Sequence, residues 1–433
     1  MVSAPAEAKR MTVVQASFIG VGAMVGAGIF ALLGAAGAVA GSAVWLSFLI
    51  AGAIAGLQGY SFAKLGSAYP SSGGMLTYLA KGFGEGHVTG IVSWLFYMTG
   101  AIVAAMVATS FGGYASAVAT DDDPVWAVVF AVLLVVVMTT LNVVGSSAVA
   151  RVQAVIVNVV LAILTLFAIV TIANWNPSLL SPAGYPGVRE IISSVALTFF
   201  AFLGFGVITF TAKDLPRPAR QLPRAMYLAL LIATAVYVAV SLGVFGTLTA
   251  DEVVEYGPTA LAEAAKPTLG EAGYALMVIT ALFSTAGAVN ASLYPSAGMT
   301  RHLAQVGQFP GAFARQIGGR APFGLLVMAL LTIFMIVALD LNAIASLGSA
   351  VALLIFSAVT VSHFRTYRET GASLLILIVA LVATLGTFVV FTTTTLVNEP
   401  RTAIALVVIV LAAITLDLIW KRVRERSLPS ADR

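Results

Sequence analysis

Apolar stretches long enough to cross a bilayer follow one another along this chain with only short breaks between them. A membrane-spanning helix needs about 20 consecutive apolar residues. Lys9 and Arg10 are followed at once by a run of about 28 mostly apolar or small residues. The apolar core of a secretory signal is only about 7–15 residues long, so this run reads as a retained first helix. Charged residues make up 9% of the chain, hydrophobic residues 60%, and the mean hydropathy is +1.02. A soluble domain carries about 25% charged residues. No single soluble core absorbs such a surplus, so the chain reads as an all-α integral membrane protein embedded in a lipid bilayer.

Runs bounded by charge, proline or polar clusters predict twelve transmembrane helices, at 12–38, 42–66, 87–118, 124–143, 146–174, 189–214, 221–248, 271–300, 321–339, 341–364, 372–396 and 400–420. Lysine and arginine collect on the cytoplasmic side of membrane proteins. With twelve spans and a cytoplasmic N-terminus, 19 of the 22 basic residues fall inside; Arg189, Lys266 and Arg401 fall outside. The split supports both the count and the orientation, with both termini cytoplasmic and the protein in the cell (cytoplasmic) membrane. It also explains the net charge of +4 as topology anchors, so no nucleic-acid partner is expected. The longest outer loop, 249–270, is expected to hold a short surface helix.

Five spans fall in each of two successive stretches. An odd number per stretch makes them an inverted repeat, in which a pair of interrupted segments at matching positions points to the binding site. The first segment contains "GVGAMVGAGIF" (20–30) and the sixth "FFAFLGFGVITF" (199–210). Glycine weakens a helix interior by about 1 kcal/mol relative to alanine, so helices 1 and 6 are expected to be discontinuous near mid-membrane. Unpaired backbone groups at that depth must line a cavity or lie buried in protein. A zwitterion fits such a place, its carboxylate on helix-opening amides and its ammonium on freed carbonyls. The competing role for these glycines is close helix packing, since Gly22/Gly26 and Gly52/Gly56 form GxxxG pairs. The spacing is not GxGxxG and no strand precedes it, so a dinucleotide site is excluded.

Three stretches resemble the amino acid–polyamine–organocation (APC) transporter superfamily: "GAMVGAGIF" (22–30), "YPSSGGMLTYLAKGFG" (69–84) and "GFGVITFTAKDLPRPARQLPRA" (204–225). The third is especially similar to archaeal broad-specificity amino-acid transporters, and "RHLA…FP" (301–310) adds a weaker match. The resemblance implies a 5+5 inverted-repeat fold with two C-terminal helices and alternating access around helices 1 and 6. The expected organisation is an N-terminal tail 1–11, repeats 12–174 and 189–366, helices 11–12 within 372–420 and a C-terminal tail 421–433. By motif position, amides of Gly26, Ala27 and Gly28 would hold the substrate carboxylate, and carbonyls of Met24, Phe200 and Leu203 its ammonium. Phe200, Phe202 and Phe205 are candidates to line or cap the pocket, with Gly204 and Gly206 at the break. Some relatives meet charged substrates with an acidic residue in helix 6. Here Gly206 occupies that region and no carboxylate lies in the middle third of any segment. That favours neutral, small or aliphatic amino acids over arginine, lysine or polyamines.

Coupling is less defined. A sodium site would need helix-8 hydroxyls; Ser284 and Thr285 are present, but Ala286 and Gly287 occupy the nearer positions. Val160 stands where some proton-coupled relatives carry a helix-5 lysine. Proton symport is the expectation from resemblance, with exchange or uniport as alternatives. No cofactor or metal is expected, and a monomer or homodimer is. Asn158, Asn290 and Tyr97 are the other buried polar candidates. The chain has no cysteine, so it has no thiol nucleophile, disulfide or cysteine-ligated zinc. His87, His302 and His363 are widely spaced, and neither HExxH nor GxSxG occurs. An enzyme is therefore not expected; a transport-inactive sensor on the same fold is the remaining rival.

Overall fold

A computed structural model of the chain describes residues 11–71, 73–144 and 147–427. It is helical throughout, apart from a two-residue antiparallel pairing of Gln316–Ile317 with Ala321–Pro322. In chain order the helices are α1 Val13–Ala40, α2 Val44–Ala68, α3 Met75–Phe83, α4 His87–Ala119, α5 Pro124–Val144, α6 Ser147–Ala173 and α7 Val188–Phe200. A 3₁₀ segment, Leu203–Asp214, follows α7. Then come α8 Pro218–Phe245, α9 Ala250–Tyr256, α10 Ala260–Glu263, α11 Lys266–Gln305, α12 Phe323–Ala338, α13 Leu341–Thr370, α14 Leu374–Phe391 and α15 Pro400–Ser427. Helices suit lipid because every backbone polar group is satisfied within the segment.

Among the described residues, ten helical runs are long and apolar enough to cross a membrane. That number takes Gly28–Ala68 as one run, although a 3₁₀ turn at Gly41–Ala43 divides it, and leaves out the 16-residue α12. Helix starts are built locally. Thr12 accepts from Gln15 N at 3.2 Å while Gln15 Oε1 accepts from Thr12 N at 2.9 Å, a reciprocal capping box. Thr249 and Glu252 repeat it at the start of α9, the surface helix expected in the outer loop. Asp340 caps α13 through Ala343 N at 2.8 Å. Gly371, at φ 61°, ends that helix in the left-handed conformation that glycine favours.

α1 and the α7–3₁₀ unit lie at the centre, in contact with each other and flanked by α8 and α11. α5, α14 and α15 are peripheral and turn Leu133, Leu375 and Leu411 outward, as a lipid-facing surface requires.

One expectation is corrected. α1 is a single uninterrupted α-helix from Val13 to Ala40, not a broken one. Its glycines serve close approach instead. A methyl group at Gly20 would collide with Ile208, one at Gly28 with the Tyr237 hydroxyl, one at Gly22 would lie 2.5 Å from Val157 and one at Gly26 2.9 Å from Ala288. Each glycine weakens the helix by about 1 kcal/mol, whereas each backbone group stranded in hydrocarbon costs several. Glycine content alone therefore does not unwind the helix. The sixth membrane segment is broken, as expected.

Candidate functional site

The break lies at Ala201 and Phe202. α7 tightens as it ends: Ala201 N donates to Thr198 O at 3.1 Å, Phe202 N to Phe199 O at 3.0 Å and Phe205 N to Phe202 O at 3.1 Å. The chain then continues as a 12-residue 3₁₀ helix, where runs beyond about 3–4 residues are uncommon and mark hinges or strain. No side chain caps its start, so the N–H groups of Leu203 and Gly204 are the orphan donors that a helix start leaves. The Ala201 carbonyl accepts from the Tyr237 hydroxyl at 3.2 Å.

A cavity of about 510 Å³ opens beside this break. Its wall takes Ala23 from α1, Phe62 from α2, Gly100 and Met106 from α4, Ser292 and Ser296 from α11, Met328 from α12 and Phe356 from α13. Exposed His302, at the end of α11, stands at its mouth beside Gly73. Among the described residues that line it there is no Asp, Glu, Lys or Arg. Its hydroxyls commit their protons to their own helices: Thr99 to Leu95 O at 2.9 Å, Ser292 to Ala288 O at 3.0 Å and Ser296 to Leu293 O at 2.6 Å. What they offer the cavity is lone pairs.

Of the expected site residues, Phe200, Leu203, Gly204 and Gly206 line the cavity. Met24 is buried behind it, and a methyl at Gly204 would lie 2.6 Å from Met24 N, so the backbones of the two central elements meet here. Gly26 faces another way, onto a hollow of about 10 Å³ that it shares with Gly22, Val160 and Ser284. Gly28 packs on Tyr237 and Ala201. In a continuous α1 the N–H groups of Gly26, Ala27 and Gly28 point back to carbonyls four residues earlier; the Ala27 side chain is outside the described residues. Phe202 turns away to pack on Tyr237, with ring centres 5.2 Å apart. Phe205 is buried in a cluster with Phe62 and Phe356, at 5.3 and 5.4 Å.

Other polar candidates have structural partners. Asn290 Oδ1 accepts from Asn142 Nδ2 at 2.8 Å, and the Tyr97 hydroxyl donates to Gly324 O at 2.6 Å. The three histidines stay apart. His363 bridges Ser61 at 3.0 Å and Thr370 at 2.8 Å. His87 meets Asp417 at 2.6 Å, and Lys421 lies 3.4 Å from the same fully buried carboxylate. Asp417 stands in the last third of its segment, and its sequence neighbourhood gives no hint of His87. Tyr69, just beyond α2, donates to Glu369; burial, that bond and the carboxylate's charge push its phenol up to about 12.

The fold and this site define a polytopic membrane protein built around a broken helix and a central cavity with no Asp, Glu, Lys or Arg among its described lining residues. Residues 11–416 match the model of the amino acid permease family, and the chain belongs to that family. It is 32% identical to the inner membrane transport protein YbaT of Escherichia coli over 93% of this chain and 94% of that one. It is 31% identical to an uncharacterized protein of Methanocaldococcus jannaschii over 97% of each chain. It is also 25% identical to the methylthioribose transporter of Bacillus subtilis over 71% of this chain and 70% of that one. The protein is therefore a multi-pass membrane transporter of the amino acid permease type, not an enzyme.

Proposed function

We propose that this protein carries neutral amino acids across the cytoplasmic membrane by alternating access, coupled to protons. The observation that carries the reading is the cavity of about 510 Å³ at the broken helix, whose described lining residues include no Asp, Glu, Lys or Arg. A fixed charge there would be needed to balance a cationic side chain; a zwitterion brings its own balance. Its ammonium suits the lone pairs of Thr99, Ser292 and Ser296, and its carboxylate suits orphan backbone donors. Engagement of Gly26, Ala27 and Gly28 requires α1 to open at those residues, so substrate binding is coupled to a local unwinding. On this reading the helices form twelve spans, α1 to α6 without α3 repeating as α7 to α13 without α9 and α10 in inverted sense, with both termini cytoplasmic. A neutral solute of another kind is the second reading, favoured by the relative named as a methylthioribose transporter.

Purified protein in liposomes should accumulate labelled neutral amino acids from a mixed panel, faster with an inward proton gradient. Uptake that requires sodium overturns the proton assignment. Exchange without net uptake makes it an exchanger. Binding without any transport makes it a sensor, and uptake of methylthioribose alone supports the second reading.

A further inference from the structure

Two glycines at the cavity stand apart from the rest. Gly20, Gly22, Gly26, Gly28 and Gly204 are each pressed against a neighbour that a methyl group would strike. Gly298 has nothing within 4 Å of where its Cβ would sit, and Gly206 has only a Phe62 ring carbon at 3.9 Å. Neither has a positive φ. Packing and backbone conformation thus leave room for a side chain at both, yet both carry the residue that weakens a helix. What they share is the cavity, which both line.

Resting on the amino-acid reading above, we infer that the missing side chains at Gly206 and Gly298 make space for a bulky apolar substrate side chain. The transported class is leucine, isoleucine, methionine and phenylalanine, rather than glycine, alanine or serine. The rest of the wall agrees. Met75, Met106, Met299 and Met328 face the space together with rings such as Phe96 and Phe200. Thioether side chains are flexible and polarisable, and they adapt to irregular apolar partners. A cavity of about 510 Å³ is in the range of pockets that take ligands much larger than alanine, roughly 300–1,000 Å³. Selectivity among the bulky residues is therefore shallow, while selectivity against small ones is steep. One methylene in an apolar pocket is worth roughly 10–200-fold in specificity.

The test is uptake by wild-type proteoliposomes across a panel of labelled amino acids, with Gly206→Val and Gly298→Val alongside, each checked for a monodisperse peak on size exclusion. Wild type should favour leucine, methionine and phenylalanine over alanine and serine by at least ~10-fold in kcat/KM. Either valine variant should lower the leucine-to-alanine ratio by at least ~10-fold. A wild-type preference for alanine, glycine or serine overturns the inference and leaves the amino-acid reading standing. So does a folded variant that lowers leucine and alanine uptake in equal proportion. Failure to carry any amino acid removes both together.

Discussion

At the scale of single residues, glycine plays two opposite parts. At Gly204 a methyl group would lie 2.6 Å from the backbone of Ala23 and Met24, and no rotamer change relieves a clash with backbone. Gly204→Ala is expected to lower stability by about 1–3 kcal/mol, the usual cost of overpacking. Gly298→Ala meets nothing and should be neutral or stabilising by up to about 1 kcal/mol. Thermal unfolding in detergent compares the two; equal losses would show that the contact is not what matters. The sequence marks the glycine-rich stretches as special but does not say which part each residue plays, because unwinding and close approach both ask for a missing side chain. In α1 the glycines serve close approach, and the helix stays continuous. Glu399, between α14 and α15, offers a separate test. Burial raises its carboxyl above the usual range; the Thr402 hydroxyl draws it down, the charge of Asp340 raises it again and the Ser346 hydroxyl lowers it. A carboxyl raised on folding binds its proton more tightly in the native state. Its contribution to stability is present below the unfolded value of about 4.3 and is lost as pH rises through the folded value. Glu399→Gln should therefore melt above wild type at pH 7.5, with the gap closing towards pH 4. A variant that melts at or below wild type at pH 7.5 would contradict this account.

Among the elements, the 3₁₀ helix Leu203–Asp214 is the unusual one. At about 2.0 Å per residue its 12 residues span about 24 Å, against about 18 Å as an α-helix. The chain thus covers more depth per residue, with poorer hydrogen-bond geometry. Its amides are expected to exchange with deuterium at least ~10-fold faster than those of α7 and α8, since local opening follows weak local bonding. Equal protection across all three would mean that the segment is as firmly held as its neighbours. The break was legible from Gly204 and Gly206 in the middle of an apolar segment. Most of the cavity wall was not. Ala23, Met106, Met328 and Phe356 face a cavity rather than lipid, yet both surroundings call for apolar side chains, so no polar stripe marks the inner face. Ser292 and Ser296, one turn apart on α11, and Thr99 on α4 are polar residues of that wall, but scattered hydroxyls do not single out its face. The pairing of His87 with Asp417 joins residues 330 positions apart, which no local pattern encodes.

At the scale of the whole molecule, hydropathy anticipated an all-helical membrane body, because lipid imposes that pattern on any chain it surrounds. Orientation is the part that charge alone predicts, and the absence of cysteine makes it directly measurable: each single-cysteine variant carries one thiol and no background. Glu255→Cys, in the loop that holds α9, should react with an impermeant maleimide on intact cells. Arg320→Cys, in the connection between α11 and α12, should react only after permeabilisation. The mouth of the cavity lies at His302, on the same side as Arg320 if α11 ends where the basic residues gather. Ser292→Cys, inside the cavity, should therefore label from the cytoplasmic face alone, and leucine should slow that labelling at least ~5-fold by occupying the pocket, as ligand protection of a site demands. Reaction of Glu255→Cys only after permeabilisation would invert the topology. Labelling of Ser292→Cys that leucine leaves untouched would separate the cavity from the transport path.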